Sequence, residues 1–505
     1  MYLVGAGPGD PGLITWRGVQ CLRRADAVLF DYLTNPTLLA HAPAGAERIC
    51  LGRHGRERIW SQQEINAQLV ALAQQGKCVV RLKGGDPAVF ARLSEEVAAL
   101  KAAGIGHEVV PGITAALAAG SYAGISLTER GRASAVAFVT GHEQDDKDAP
   151  AIDFAALAAF RGTLVVYMGV TTAADWTGAL IDAGKPAETP AAIVRRCTWP
   201  DQQTIHCTLG AVGERIAEAH LRPPVVTIIG DVAAVADAKN WFTERPLFGQ
   251  RVLITRPHCQ ASGLWDRLSE LGAHCLLQPA IEIEPPSDWS AVDAALARLA
   301  EFDWLVFSSA NGVEFFLGRL WESGRDLRAL GPIKIAAIGP ATAEALEQFH
   351  LHADLTPDEF RAESLAEALL DAAVKNASKP RLLLVRANRG REVLAETLTA
   401  AGCKVEQVVA YQSIDVETPD PEIAALLQHG RIDWITVTSS AIARSLARLF
   451  GDDLRRAKLA SISPITTATL RELGHEPTAE AREYTMDGIV EAIRVALLAA
   501  SSGTR

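Results

Sequence analysis

Residues 78–87 read Cys78-Val79-Val80-Arg81-Leu82-Lys83-Gly84-Gly85-Asp86-Pro87. A short apolar run ends in a glycine pair and a carboxylate, as where a strand of an α/β sheet delivers a loop to a ligand. The same cadence continues outward. Strands are expected at Tyr2–Val4, Ala27–Phe30, Cys78–Leu82, Ala135–Thr140, Thr163–Met168, Ala191–Val194 and Val225–Ile229. Helical patterns lie between them, among them Ser61–Gln75 and Ser94–Ala103, and Ser61 with Glu64 forms a capping box. Strands alternating with helices define an α/β chain.

Four further loops end such strands. They are Gly5-Ala6-Gly7-Pro8-Gly9-Asp10-Pro11-Gly12, Val110-Pro111-Gly112-Ile113-Thr114-Ala115-Ala116, Thr140-Gly141-His142 and Tyr167-Met168-Gly169. Glycines there let a backbone approach a ligand and open a helix. The first loop is no dinucleotide fingerprint: Pro8 and Pro11 break G-x-G-x-x-G, and G-K-[ST] is absent. One such loop reads equally well as a tight turn. Five at successive strand ends point to a shared ligand cleft. Taken singly, Met168 reads as a core filler, His54 and His142 as satisfied or exposed histidines, and Arg53–Arg58 as a solvated loop.

At roughly 100–200 residues per domain, 505 residues make two to four domains. The net charge of −11 argues against general nucleic-acid binding. It is uneven: Lys and Arg number 23 against 25 Asp and Glu up to residue 245, and 26 against 35 beyond it. The first part therefore has room for local basic pockets, and the second is an acidic body. Eight cysteines without a C-x-x-C pair read as reduced thiols. The uncharged stretch Val109–Leu127 carries Pro111 and three glycines, which suits a turn and a small-residue helix rather than a membrane span. A cytoplasmic protein with no membrane or nucleic-acid partner is expected, divided by a short linker into domains 1–245 and 246–505.

The second domain repeats internally. Arg251-Val-Leu-Ile-Thr-Arg256 recurs as Arg381-Leu-Leu-Leu-Val-Arg386, and Trp304-Leu-Val-Phe-Ser-Ser309 as Trp434-Ile-Thr-Val-Thr-Ser439, each 130 positions on. Ile338-Gly-Pro-Ala-Thr342 recurs as Ile462-Ser-Pro-Ile-Thr466. Repeats this long make two similar lobes rather than a solenoid, with a cleft between them. Hydroxyls gather at the strand ends: Ser308, Ser309, Thr342, Ser439 and Thr466. Alone they read as helix N-caps. No nucleophile elbow, phosphate loop or metal pattern is visible.

The ordered set GAGPGDPGLIT, VVRLKGGDP, VVPGITAA, SYAGISLT, FVTGH and TLVVYMG, over residues 1–243, resembles the tetrapyrrole methylases. It is most similar to the uroporphyrinogen-III C-methyltransferases. The resemblance implies a two-lobed α/β enzyme, a homodimer through this domain, and S-adenosylmethionine folded between the lobes. Carried over by motif, Pro8, Gly84, Gly85, Asp86, Val89, Thr114, Ala115 and Met168 contact the cofactor. Asp31 matches the proton acceptor. Arg92 and Glu95 keep the Arg-x-x-Glu of a GRGGEE segment on one helix face. Arg92, Arg130 and Arg132 are partners for substrate carboxylates. The family's proton-donor Lys is Arg53 here, a carboxylate binder but a poor acid. Tyr32, Ala88, Leu93, Ser94, Glu129 and Cys197 also depart from the family pattern, mostly on the substrate side.

From about 250 to 495, the segments VLITRP, FSSANGV, AAIGPATAEAL, AYQS and TMDGIVEAI resemble uroporphyrinogen-III synthase. That implies a lobe at about 250–285 and 411–500, a second at about 286–410, and ring closure of hydroxymethylbilane by positioning. Tyr411 matches the tyrosine that assists departure of the hydroxyl, and Ser308, Ser309, Thr342, Ser439 and Thr466 line the cleft. Together the halves imply synthesis of uroporphyrinogen III and its double methylation to precorrin-2, with S-adenosylmethionine, no metal and tetrapyrrole substrates. Two alternatives stay open: another tetrapyrrole acceptor for the first half, or a catalytically weak ligand-binding second half.

Overall fold

The computed structural model describes residues 1–52, 59–142, 152–234, 239–375, 379–390 and 392–502. The chain forms two compact units, Met1–Gln250 with Leu268–His274, and Arg251–Arg267 with Cys275–Arg505. Residues 241–250 are folded into the first unit rather than left as a linker. Phe242 is buried with its ring 4.7 Å from Tyr122, and buried Leu247 donates its N–H to Leu271 O at 2.8 Å.

The first unit holds two five-stranded sheets. One comprises β1 (Tyr2–Gly5), β2 (Ala27–Phe30), β3 (Glu47–Cys50), β4 (Val79–Lys83) and β5 (Glu108–Val110), all parallel, in the order β3-β2-β4-β1-β5. Central β4 is buried throughout, which explains its apolar run. The second comprises β6 (Val136–Thr140), β7 (Thr163–Tyr167), β8 (Pro190–Arg195), β9 (Gln203–Thr208) and β10 (Val225–Ile229), in the order β6-β7-β10-β8-β9. Only β6 and β7 run parallel there. The expected helices run Gln62–Gln74 and Leu93–Ala102, and the Ser61–Glu64 capping box is formed.

The second unit contains β11 (Arg251–Ile254), β12 (His274–Leu277), β13 (Ile281–Glu284), β14 (Trp304–Phe307), β15 (Lys334–Ala337), β16 (Arg381–Ala387), β17 (Lys404–Asp415), β18 (Trp434–Val437), β19 (Lys458–Ser461) and β20 (Ala479–Glu480). Its sheets run β12-β11-β18-β19-β20 and β13-β17-β16-β14-β15. The internal repeat is visible in the order itself, since β11-β18-β19 corresponds to β16-β14-β15. It extends to single contacts. Asp433 accepts from Arg251 N at 2.7 Å as Asp303 accepts from Arg381 N at 2.8 Å. Lys458 lies over the Trp434 ring as Lys334 lies over Trp304. The chain leaves one lobe along β13 and returns along the end of β17, the two paired antiparallel from Ile281↔Asp415 to Glu284↔Gln412.

Candidate functional site

Three loops at the carboxyl ends of the first sheet are bound into one surface. Gly7 and Gly85 exchange backbone hydrogen bonds of 3.2 and 2.8 Å. Asp86 joins the third loop: its Oδ2 accepts from Gly112 N and its Oδ1 from Ala88 N, at 2.8 and 2.7 Å. A Cβ on Gly112 would lie 2.3 Å from Gly85 O and 2.8 Å from Gly5 Cα, so only glycine permits this approach. Gly85 itself has φ +69°, and its missing Cβ would face Thr114 and Ala115 N at 3.9 Å.

The second sheet reaches these loops through Tyr167. Its hydroxyl lies 2.7 Å from Thr114 Oγ1 and accepts from Ala116 N at 2.8 Å, at the start of the helix Ala115–Ala123. Burial pushes this phenol above its ordinary pKa, against the Thr114 and Ala116 hydrogen bonds. Beyond it, Met168 is half exposed with φ 54°, so it is not the core filler its composition suggests. A bulky residue held left-handed stores strain, which points to use. Phe90, also left-handed and exposed, lies 5.1 Å from the Tyr167 ring. Pro8 is fixed from the other side, where Trp199 Nε1 donates to its carbonyl at 3.3 Å and Thr198 Oγ1 accepts from Asp10 N at 2.9 Å. Buried Cys197 takes the family's glycine position without a left-handed backbone, its Sγ 3.7 Å from Ala115 O, and burial pushes the thiol up to about 12. The loops thus bring together Pro8, Gly84, Gly85, Asp86, Thr114 and Ala115, with Met168 next to Tyr167 and Val89 in the turn where its N–H donates to Asp86 O at 3.2 Å. They offer backbone, small residues and an apolar rim, which fits a nucleoside with an amino-acid group.

Asp31 follows β2 and meets a buried charge network. Its Oδ1 pairs with Arg81 Nη2 at 2.6 Å, while among the described residues Oδ2 has only a 3.4 Å contact from Gly84 N. Arg81 Nε and Lys83 Nζ both reach Glu96 Oε1, at 3.2 and 2.6 Å. Arg81, Lys83 and Glu96 are at most 3% exposed. Burial first, then repulsion from Arg81, pushes the Lys83 ammonium below its ordinary pKa. Sequence reasoning missed these residues, although charges inside an apolar central strand demand partners. It placed Tyr167 and Gly112 in strand-end loops but gave neither a role of its own, because only tertiary packing brings them to Thr114 and Gly85.

The substrate-side arginines are not gathered. Arg92 pairs with Glu95 at 2.6 Å on the surface, and Arg132 with Glu129 at 2.9 Å. Arg130 and Arg132 are exposed and precede β6, at the opposite end of the second sheet from Thr140 and Met168. Arg53 lies outside the described residues.

In the second unit the hydroxyls mostly cap. Ser309 Oγ accepts from Gly312 N at 3.1 Å and Ser439 Oγ from Ile442 N at 3.2 Å. Ser308 donates to Val385 O at 3.1 Å. Thr342 and Thr466 are buried in the first turns of the helices Pro340–Gln348 and Pro464–Glu472. Ser463, in the family's glycine position, caps the second of these. One expected pair does meet: Ser309 Oγ is 2.9 Å from Tyr411 OH, and Tyr411 is buried on the ring of Phe315.

Among the described residues no cluster of three metal-ligating side chains occurs, and no described helix is long and apolar enough to cross a membrane. Fold and loops define an α/β protein with strand-end ligand loops in one unit and duplicated α/β lobes in the other. The tetrapyrrole (corrin/porphyrin) methylase profile matches residues 1–213, and the uroporphyrinogen-III synthase HemD profile residues 263–491. The porphyrin biosynthesis protein HemD of Ruminiclostridium josui is 32% identical over 97% of this chain and 94% of its own. The uroporphyrinogen-III C-methyltransferase of Bacillus subtilis (strain 168) is 36% identical over 71% of this chain and 73% of its own. The siroheme synthase of Sodalis glossinidius (strain morsitans) is 49% identical over 49% of this chain and 52% of its own, so the chain spans about half of that relative. The chain belongs to the family of tetrapyrrole-biosynthesis proteins in which a methylase domain is fused to a HemD synthase domain. Both halves are enzyme domains, a methyltransferase and a lyase.

Proposed function

We propose that the second unit closes hydroxymethylbilane to uroporphyrinogen III and that the first methylates this product twice to precorrin-2, on the branch to sirohaem and cobalamin. The observation that carries the reading is one chain holding, in separate units, domains of two families whose reactions follow one another.

S-adenosylmethionine would be held by the Gly84–Asp86 loop, Thr114, Ala115, Pro8, Val89 and Met168, and it supplies the methyl group. Asp86 braces the loops, since both of its oxygens are engaged by backbone N–H groups. Asp31 takes the proton lost from the substrate at Oδ2, because Oδ1 is committed to Arg81. Arg53 and Arg92 bind substrate carboxylates, Arg92 after releasing or sharing Glu95, whereas Arg130 and Arg132, at the far end of the second sheet, take no part in this site. A homodimer through this unit belongs to the same reading and rests on the family resemblance.

In the second unit, Ser309 accepts from Gly312 N and is free to donate its own proton to Tyr411. The phenol proton is then available to the departing hydroxyl, which leaves as water. The remaining work is holding a flexible polyanion in the inverting geometry, with Ser308, Thr342, Ser439 and Thr466 along the cleft. The test is incubation of the full chain with hydroxymethylbilane and S-adenosylmethionine, followed by product mass. A product two methyl groups heavier than uroporphyrinogen III is expected. Uroporphyrinogen alone, or the uninverted isomer alone, refutes one half or the other.

A further inference from the structure

Arg256, at the end of β11, is an arginine without a counter-charge. Its Nη2 donates to Gln260 Oε1 and its Nη1 meets the weak acceptor Met486 Sδ, both at 2.9 Å. Nε is buried without a hydrogen-bond partner, and Arg256 forms no ion pair among the described residues. Burial pushes the guanidinium below its ordinary pKa, and only Cys259 opposes the shift. A partly buried cation with no counter-charge is costly, and this one sits in the acidic half of the chain.

The internal repeat supplies a control. Arg386 occupies the matching position at the end of β16, and there the charge is answered by Glu392, with Gln407 Oε1 at 2.8 Å. One copy of the motif kept a carboxylate partner, and the other presents the bare cation. The bare copy is also wired to the expected chemistry. Gln260 Nε2 donates to Asn311 Oδ1 at 2.6 Å, and Asn311 lies two residues beyond Ser309, whose hydroxyl meets Tyr411.

We propose that Arg256 is the carboxylate anchor of the second unit. Its guanidinium pairs with an acetate or propionate side chain of the linear tetrapyrrole, and the Gln260–Asn311 link fixes that anchor relative to Tyr411. This rests on the synthase reading of the second unit. It accounts for the missing counter-charge, because a polyanionic substrate brings its own.

The test uses the full chain as wild type, Arg256→Met, Arg256→Lys and Arg386→Met, without S-adenosylmethionine, so that only ring closure is read. A charge-assisted pair is worth about 10–100-fold in affinity. The KM for hydroxymethylbilane should therefore rise by about that factor in Arg256→Met, with a smaller change in kcat. Arg256→Lys should recover part of it, and Arg386→Met should leave KM alone. Since removing a partly buried cation with no counter-charge relieves desolvation, the ligand-free melting temperature of Arg256→Met should hold or rise, which a structural role would not give. Titration with uroporphyrin III, a stable octacarboxylate, reads binding without turnover, with two sites per chain in wild type, one of them weakened by about 10–100-fold in Arg256→Met. An unchanged KM with both sites at wild-type affinity in Arg256→Met overturns the anchor, as does a lowered melting temperature with unchanged KM. A wild type that binds at two sites yet closes no ring overturns the synthase reading while leaving the anchor standing.

Discussion

Asp31 and Tyr411, the two residues given chemical roles above, are each fixed by a partner, Tyr411 through the same hydroxyl that would act. For Asp31 the fixing partner is Arg81, itself tied to Glu96. Asp31→Ala should lower methyl transfer by about 10²–10⁴-fold, the usual loss for a general base, with S-adenosylmethionine affinity nearly unchanged by calorimetry. A rate within about threefold of the parent excludes the proton-acceptor role. Gly112 acts by different physics. Its alanine variant would press a Cβ into Gly85 O at 2.3 Å, so the loops must part. Gly112→Ala is expected to weaken cofactor binding while the circular dichroism spectrum stays that of the parent. Undiminished affinity in a folded variant would show that the loop contact is unnecessary. Tyr411→Phe removes one oxygen. A packing role predicts a cost of about 0.5–1.5 kcal/mol and little rate, whereas the proposed role predicts a lower ratio of inverted to uninverted product at nearly constant melting temperature.

Elements transmit these residues' positions, and the end of β17 is the clearest case. Asp415 gathers Arg389 from the lobe it leaves and Ser445 and Arg448 from the lobe it enters. Burial alone would raise its carboxyl pKa, but the hydrogen bonds from Ser445, Arg389 and Arg448 outweigh it and hold the group at about 2 against an ordinary 3.8. A depressed folded value contributes stability above the unfolded pKa and loses it as pH falls through the folded one. The melting-temperature gap between wild type and Asp415→Asn should thus be constant above pH 4 and close toward pH 2. A gap that persists at low pH would assign the latch no titrating charge. The same scale shows what the sequence made legible. Strands with apolar runs, such as Ala27–Phe30 and Val225–Ile229, are buried strands in the fold. The three strands of the first unit that the pattern missed, β3, β5 and β9, all lie at sheet edges. Half-solvated edges need no apolar run, as the exposed Glu47–Cys50 and polar Gln203–Thr208 illustrate. Site residues were legible where glycine or a hydroxyl marks a strand end. Arg81, Glu96 and Tyr167 were not, because only tertiary packing brings them to Asp31 and Thr114.

At the scale of the molecule, each compact unit carries its own sheets, core and strand-end residues. Neither set of proposed site residues draws on the other unit, so each activity should survive loss of the other within the full chain. Asp31→Ala should then accumulate uroporphyrinogen III, and Tyr411→Phe should methylate supplied uroporphyrinogen III at the wild-type rate. Mixing the two variants asks more. With hydroxymethylbilane and S-adenosylmethionine present, the Asp31→Ala chain makes uroporphyrinogen III and the Tyr411→Phe chain methylates it, provided the intermediate reaches solvent. Hydroxymethylbilane also cyclises unaided to the uninverted isomer, so the control is Tyr411→Phe alone, whose yield sets the uncatalysed background. Product two methyl groups heavier than uroporphyrinogen III, appearing in the mixture well above that background after a lag that shortens as Tyr411→Phe is added, is the expected outcome. A mixture that stays at that background, with uroporphyrinogen III retained on the Asp31→Ala chain rather than released, while wild type converts it without delay, would show that the intermediate passes within a single assembly and that the two units act as one device.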